Sequence, residues 1–387
     1  MKQFNMALMT LVLMAGVFAC HKSNTSAATI GGAWVSRASI GNVPAFGAAA
    51  SFTLNNVAYI GTGLNPLTPG VKQTAVFMYT PASLPAVATG SDSAVGTWTQ
   101  VGSFPGQARS NAVGFSIGNT GYIGSGLAND GLTALADFFA YNPSANSWLQ
   151  IESLQDSVSI HPRFGAVAFS FDTTAYVLTG TDGKNYFGDI WRYSPTTDSW
   201  VQQSNLPGNP RSGAISFVYQ NQGYIVTGYT PGSRWAMGNL AYDFWRFTPG
   251  NDQSTTAWSQ LRDIYNTNTA SFDNGYSNII RENGSGFLSL GQPKGDKAYI
   301  TLGDVNGTDI ASTWEYDFVS DLWTPKSAFT GVPRHGASGF TLPGNVPTAD
   351  GAATTRGFIA AGINGNSTFA YADCYEFFPN LAATQTK

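Results

Sequence analysis

Arg163-Phe-Gly-Ala-Val-Ala-Phe169, Tyr176-Val-Leu-Thr-Gly180, Asp189-Ile-Trp-Arg-Tyr-Ser-Pro195 and Trp200 follow one another within a single stretch of the chain. Trp191 and Tyr193 alternate with Arg192, the period-two pattern of a strand that buries one face. Gly180 ends an apolar run and permits the positive φ of a tight turn. The stretch therefore reads as four short strands. Strand a starts at the Arg, b ends at the Gly, c carries the alternating aromatics and d begins at the Trp. A four-stranded sheet of this size cannot bury both faces alone, so it needs like sheets on either side.

The rest of the chain supplies them. Arg109 to Phe115, Arg211 to Phe217 and Arg334 to Phe340 repeat the first signal. The first unit has Ala45 where the Arg is expected, and the fifth is the poorest copy, near Asn283 to Leu290. Aromatic-to-Gly strands recur at Tyr59–Gly63, Tyr122–Gly126, Tyr224–Gly228, Tyr299–Gly303 and Phe358–Gly362. Aromatic strands run into Trp98, Trp148, Trp258 and Trp323, but nothing follows the last one, which ends at Pro379. The spare Trp34 stands ahead of the first unit. A strand from Trp34 completing the last sheet leaves no unit over. The expectation is an all-β, six-bladed β-propeller over 34–379, four antiparallel strands per blade, closed by the N-terminal strand, with a tail at 380–387.

The Arg, the Gly-ended strand, the aromatic strand and the spaced Trp together resemble kelch repeats over Trp34 to Pro379. Two departures mark a divergent set. Kelch units usually carry a Gly pair after strand b, and here the first of the pair is Thr62, Ser125, Thr179, Thr227, Leu302 or Ala361. A His often stands three residues after the Arg, where this chain has Ala112, Ala166, Ala214 and Ala337.

The N-terminus is of another kind. Lys2, an apolar run from Met6 to Phe18, and Ala19-Cys20 match a secretory signal followed at once by cysteine. The run is shorter than the ~20 residues a spanning helix needs. It resembles a bacterial lipoprotein signal over 1–19, with Cys20 lipidated and 20–33 a flexible tether. The resemblance implies an extracytoplasmic protein anchored by lipid to a bacterial membrane, the outer membrane by preference. Cys374 is then the one internal cysteine, so no disulfide framework is available. Losing Lys2 moves the formal net charge from −4 to −5. Charged residues make up 11% of the chain, and no basic patch answers a phosphate backbone, so nucleic-acid binding is not expected.

Antiparallel order puts the b–c and d–a loops on one face of the disc. Arg109, Arg163, Arg211 and Arg334 fall near the channel mouth on that face. They read either as a ring able to grip a carboxylate or as ties to neighbouring loop carbonyls. Trp235, beside Arg234 in the b–c loop of blade four, is the one Trp outside the repeat, and so a candidate platform for a sugar or an apolar side chain. Tyr186 occupies the equivalent loop of blade three. Asp304-Val-Asn-Gly-Thr-Asp309 reads as a hairpin turn rather than a calcium loop. His21, His161 and His335 are scattered, and no metal, cofactor or catalytic set is expected. The favoured reading is a monomeric, membrane-tethered, non-catalytic module that binds a protein or glycan partner through the b–c/d–a face. The alternative is a carbohydrate-active enzyme similar to the kelch-type N-acetylneuraminate epimerases, with Asp182 or Asp304 as its carboxylate.

Overall fold

In the computed structural model, six antiparallel four-stranded sheets surround one axis. The structure describes residues 30–382 apart from 42–45, 66–67, 69–70, 83–94, 233–235, 238, 251–254, 266–275, 277, 293, 345–354 and 366–368. Strands a to d of blade three are Val167–Ser170, Ala175–Leu178, Ile190–Ser194 and Ser199–Gln202. The innermost strands of the other blades are Ala50–Leu54, Val113–Ile117, Ile215–Tyr219, Ser285–Ser289 and Ser338–Pro343. Among the described residues no helix is long and apolar enough to cross a membrane.

Blade six closes the ring as the spare Trp implied. Its outermost strand is Gly31–Arg37, paired antiparallel to its third strand, Cys374–Ala382, with Trp34 opposite Phe377. Both boundaries differ from the sequence reading. Gly31 pairs with Ala382, so 31–33 belong to the sheet rather than to a tether, and 380–382 to the sheet rather than to a tail. Backbone pairing continues past the last aromatic, where side-chain pattern gives no signal.

Two contacts recur, the first between strands a and b of one blade and the second between neighbouring blades. The Phe six residues after the Arg position stacks on the strand-b aromatic, as in Phe115–Tyr122 at 4.9 Å and Phe340–Phe358 at 5.4 Å. In every blade but the fifth, whose buried Trp323 indole N–H has no partner, the strand-d Trp staples the blade to its predecessor. Its indole N–H donates to a carbonyl just past the previous strand d: Trp98 to Ala38, Trp148 to Gly102, Trp200 to Glu152, Trp258 to Ser204, and Trp34 to Ser327. This is why the Trp is needed, and why Trp34 serves blade six.

The register also places the two poor repeats. Each Gly after strand b donates its N–H to the carbonyl of the next blade's Arg: Gly63 to Arg109, Gly126 to Arg163, Gly180 to Arg211, Gly228 to Arg281, and Gly303 to Arg334. Gly362 donates to Phe46. The Arg position of blade one is therefore Phe46, not Ala45, and blade five has its Arg at Arg281. Counting six residues back from Phe52 and Phe287 would have found both.

Candidate functional site

Four of the Arg side chains named from the sequence are sealed inside the b–c/d–a end of their blades. Arg109, Arg163 and Arg211 are 0% exposed and Arg334 is 1% exposed. Each is gripped two-pronged by the Asp that opens strand c. Arg163 meets Asp189 at 2.6 and 2.8 Å and Arg109 meets Asp137 at the same distances. Arg211 meets Asp243 at 2.5 and 2.6 Å, and Arg334 holds Asp373 likewise. Further N–H groups donate to carbonyls at the end of strand b and two residues upstream, as Arg163 does to Thr179 and His161. Burial alone would raise the Asp189 carboxyl, but the hydrogen bonds and charge of Arg163 outweigh it and hold it below the usual range. The ligand-gripping ring is corrected on this geometry: the guanidinium groups are committed to the blade's own carboxylates and do not reach the surface.

Two blades vary the device. In blade one Phe46 replaces the Arg, and Ala75 stands where the Asp would be, its carbonyl accepting from Thr62 as those of Asp137 and Asp189 accept from Ser125 and Thr179. In blade five Arg281 remains but Ser312 replaces the Asp. Carbonyls of Ile279, Leu302, Ser312 and Asn278 and the Ser312 hydroxyl satisfy the guanidinium. Burial pushes Arg281 down to about 9.

The mouth itself is collared by backbone. Two residues past each Arg position, six amides and carbonyls bond head to tail around the axis. The ring runs Asn111 to Ala48, Gly165 to Asn111, Gly213 to Gly165, Asn283 to Gly213, Gly336 to Asn283 and Ala48 to Gly336, at 2.8–2.9 Å. All six residues have φ between 51° and 64°, the left-handed region that Gly and Asn tolerate best. Small side chains leave a shallow basin of about 140 Å³ over the collar.

Around that basin, every blade pairs the residue after its Arg position with the residue after its Gly. The pairs are Gly47 with Leu64, Ser110 with Leu127, Phe164 with Thr181, Ser212 with Tyr229, Glu282 with Asp304, and His335 with Ile363. Ionisable acid and imidazole groups enter this rim only in blades five and six. The His335 Nδ1 lies 2.6 Å from Asp309 Oδ1, while Asn364 Nδ2 and the Gly365 N–H donate to Asp309 Oδ2 at 3.1 and 2.8 Å. Ligand atoms of Asp304, Asp309 and His335 lie within 4.8 Å of one another. Glu282, half-buried, is pushed up to about 7 by burial and then by the charge of Asp304, partly opposed by His335. Tyr186 reaches Tyr229 at 5.6 Å between ring centres, and the phenol of Tyr186 is raised by burial, Tyr229 and Glu282. Two tyrosines, three carboxyls and one imidazole thus form an arc across blades three to six.

Asp304–Asp309 is a hairpin, as its sequence indicated, with Val305 paired to Thr308 and positive φ at Asn306 and Gly307. Its partnership with His335 was not read. Those residues lie on different blades, and only the rim register shows that they meet. Asp182 lies in the turn of blade three, where it caps Lys184 and Asn185 backbone amides. Trp235, Arg234 and Cys20 fall outside the described residues.

Fold and register together define the class: the protein is a six-bladed β-propeller built on kelch repeats. A Kelch motif model matches residues 162–207. The solved structure of YjhT is similar, with a TM-score of 0.58 and 16% identity over 86% of this chain and 94% of that one. At that identity the likeness speaks for the fold alone. No curated protein sequence matches the chain significantly.

Proposed function

We propose that this propeller recognises a glycan at the b–c/d–a face, while a lipid on Cys20 holds it as a monomer at an extracytoplasmic membrane surface. The carrying observation is the rim arc of Tyr186, Tyr229, Glu282, Asp304 and His335, side chains that the repeat does not require for its own packing. Aromatic faces beside hydrogen-bonding acids suit a sugar ring, whose C–H face stacks while its hydroxyls donate to carboxylates. Trp235 and Arg234, which the sequence puts between strands b and c of blade four, are further candidates for this recognition. A glycan array with the soluble domain, followed by titration of any hit against Tyr229→Ala and Trp235→Ala, tests the reading. Failure of every glycan class, together with capture of a protein by the same face, would replace it with protein recognition.

Glu282 supports a second reading, as an enzyme. A mouth carboxyl titrating near neutrality is poised to exchange protons with a bound sugar. For an acidic sugar such as N-acetylneuraminate this reading meets two difficulties: the rim presents like charge, and Arg109, Arg163, Arg211 and Arg334 are buried. Exchange NMR of candidate sugars with the wild type and Glu282→Gln decides it, because an enzyme accelerates interconversion and the variant does not.

A further inference from the structure

Opposite the strand-b aromatic, strand c carries a residue that differs from blade to blade: Met78, Ala140, Arg192, Arg246, Glu315 and Glu376. Blades three and four place a guanidinium there, beside Tyr176 and Tyr224. Burial raises both phenols, and the adjoining Arg opposes it in each. The two blades therefore build the same floor toward the a–b/c–d end of the disc, the end away from the mouth.

One floor is roofed and the other is open. Between blades four and five, Tyr219, two residues past Phe217, stacks at 3.9 Å on Phe318, two residues past Tyr316. Phe318 in turn packs on Tyr224 at 5.3 Å. Between blades three and four the same register positions hold Phe171 and Pro249. Phe171 stands edge-on to Tyr176 at 5.5 Å, and Pro249 has no aromatic ring to lay over it. A cleft of about 560 Å³ is left over Tyr176 and Arg192, inside the ~300–1,000 Å³ of small-ligand sites. Thr174, Asn221 and Thr255 complete its walls.

The roofed cleft shows what the open one suits: a flat group in the place of Phe318, over a tyrosine and a guanidinium. The open cleft is walled by hydroxyls and an amide, which match a hydroxylated ring better than an aromatic one. A guanidinium fork matches a carboxylate. Phe171 and Arg192 both adjoin Tyr176, a spacing for a carboxylate carried on the ring itself. We propose that this cleft binds a hexuronate unit of an acidic glycan, its ring against Phe171 and Tyr176 and its carboxylate on Arg192. The site lies at the other end of the disc from the mouth and does not depend on what the mouth binds. Asp172, exposed at the edge, is the opposing charge among the lining residues.

The test compares a short galacturonate oligomer with its fully methyl-esterified twin of equal length, by calorimetric titration at pH 7 and low salt. The expected result is binding of the acid roughly tenfold tighter than the ester or more, weakened by added NaCl. Arg192→Gln should erase that ratio, and Asp172→Asn should tighten the acid without changing the ester. Pro249→Phe copies the roofed cleft and should abolish binding of both oligomers with the melting midpoint kept, so it serves as the second variant should Arg192→Gln fail to fold. Equal affinity for acid and ester, or binding of neither, overturns the proposal. Binding that survives Arg192→Gln and Pro249→Phe but is lost in Tyr229→Ala overturns it too, by moving the acid to the mouth.

Discussion

Blade five offers an experiment that its siblings have already carried out. In blades three and four, Asp189 and Asp243 each grip an Arg and also accept the indole N–H of the Trp two residues on, at 2.6 Å. Ser312 stands at that position in blade five, and the buried Trp314 indole N–H has no partner. Ser312→Asp should restore both contacts. An unsatisfied buried donor costs about 1–3 kcal/mol, and pairing a charge already buried adds to the gain. Desolvating the new carboxylate offsets several kcal/mol, so the expected net stabilisation is about 1–2 kcal/mol at pH 7. The sign with pH follows the sibling Asp189, whose carboxyl is held low. The gain is present above the unfolded Asp value of about 4 and fades as pH falls through the depressed folded value. Urea unfolding followed by tryptophan fluorescence measures it. The reciprocal change, Asp243→Ser, leaves Arg211 and the Trp245 indole short and should cost about 2–4 kcal/mol. If Ser312→Asp is neutral or destabilising while Asp243→Ser is mild, the Asp is not the shared anchor of Arg and Trp, and the reasoning fails.

A chain beginning at Ser39 lacks the closing strand and Trp34, which packs edge-on to Phe287 and Phe329 and against Phe377. Its loss should exceed the ~3–5 kcal/mol of a buried Trp truncation, and an unchanged melting midpoint would contradict closure by that strand. Glu282→Gln should leave stability unchanged near pH 4 and raise it by about 1–2 kcal/mol at pH 8, after discounting for partial exposure. The sign follows because a carboxyl raised to about 7 in the fold loses stabilisation as pH climbs from the unfolded value through 7, whereas Gln never ionises. Chemical denaturation at the two pH values checks it, and parallel curves at both would show that Glu282 is not shifted. Cys20→Ser should move the protein from the membrane to the soluble extracytoplasmic fraction, and retention after a high-salt wash would refute lipidation.

The architecture was legible because each blade must solve the same burial problem, and the same residues solve it each time. Phe115, Tyr122 and Trp148 stack and staple for reasons that recur in most of the sheets, so the pattern exposes the fold. Reading failed where one blade solved the problem differently. Phe46 with Ala75 dispenses with the ion pair, and Arg281 with Ser312 keeps only half of it. A search for the charge missed both, while the invariant step of six residues to the Phe would have kept the count. The aromatic pattern also stopped short of Gly31 and Ala382, because backbone pairing persists after the packing signal has ended.

The same logic explains why the rim was harder to read than the fold. Glu282, Asp304 and His335 are one position beyond residues that every blade needs, in a short bridge whose backbone is repeated and whose side chains are free to differ. From the sequence alone Asp304 is a turn residue and His335 a lone histidine, 31 positions apart. The blade-to-blade bond from Gly303 to the Arg334 carbonyl brings them together. The repeat thus supplies a coordinate system: positions equal in all six blades carry packing, and the first positions to depart from it carry whatever is specific to this chain. In blades one to four those positions hold Gly, Leu, Ser, Phe, Thr and Tyr. The turn to acid and imidazole in blades five and six ties those two blades to each other through Asp309, His335 and Asn364, a contact for which the other four blades have no counterpart at these positions.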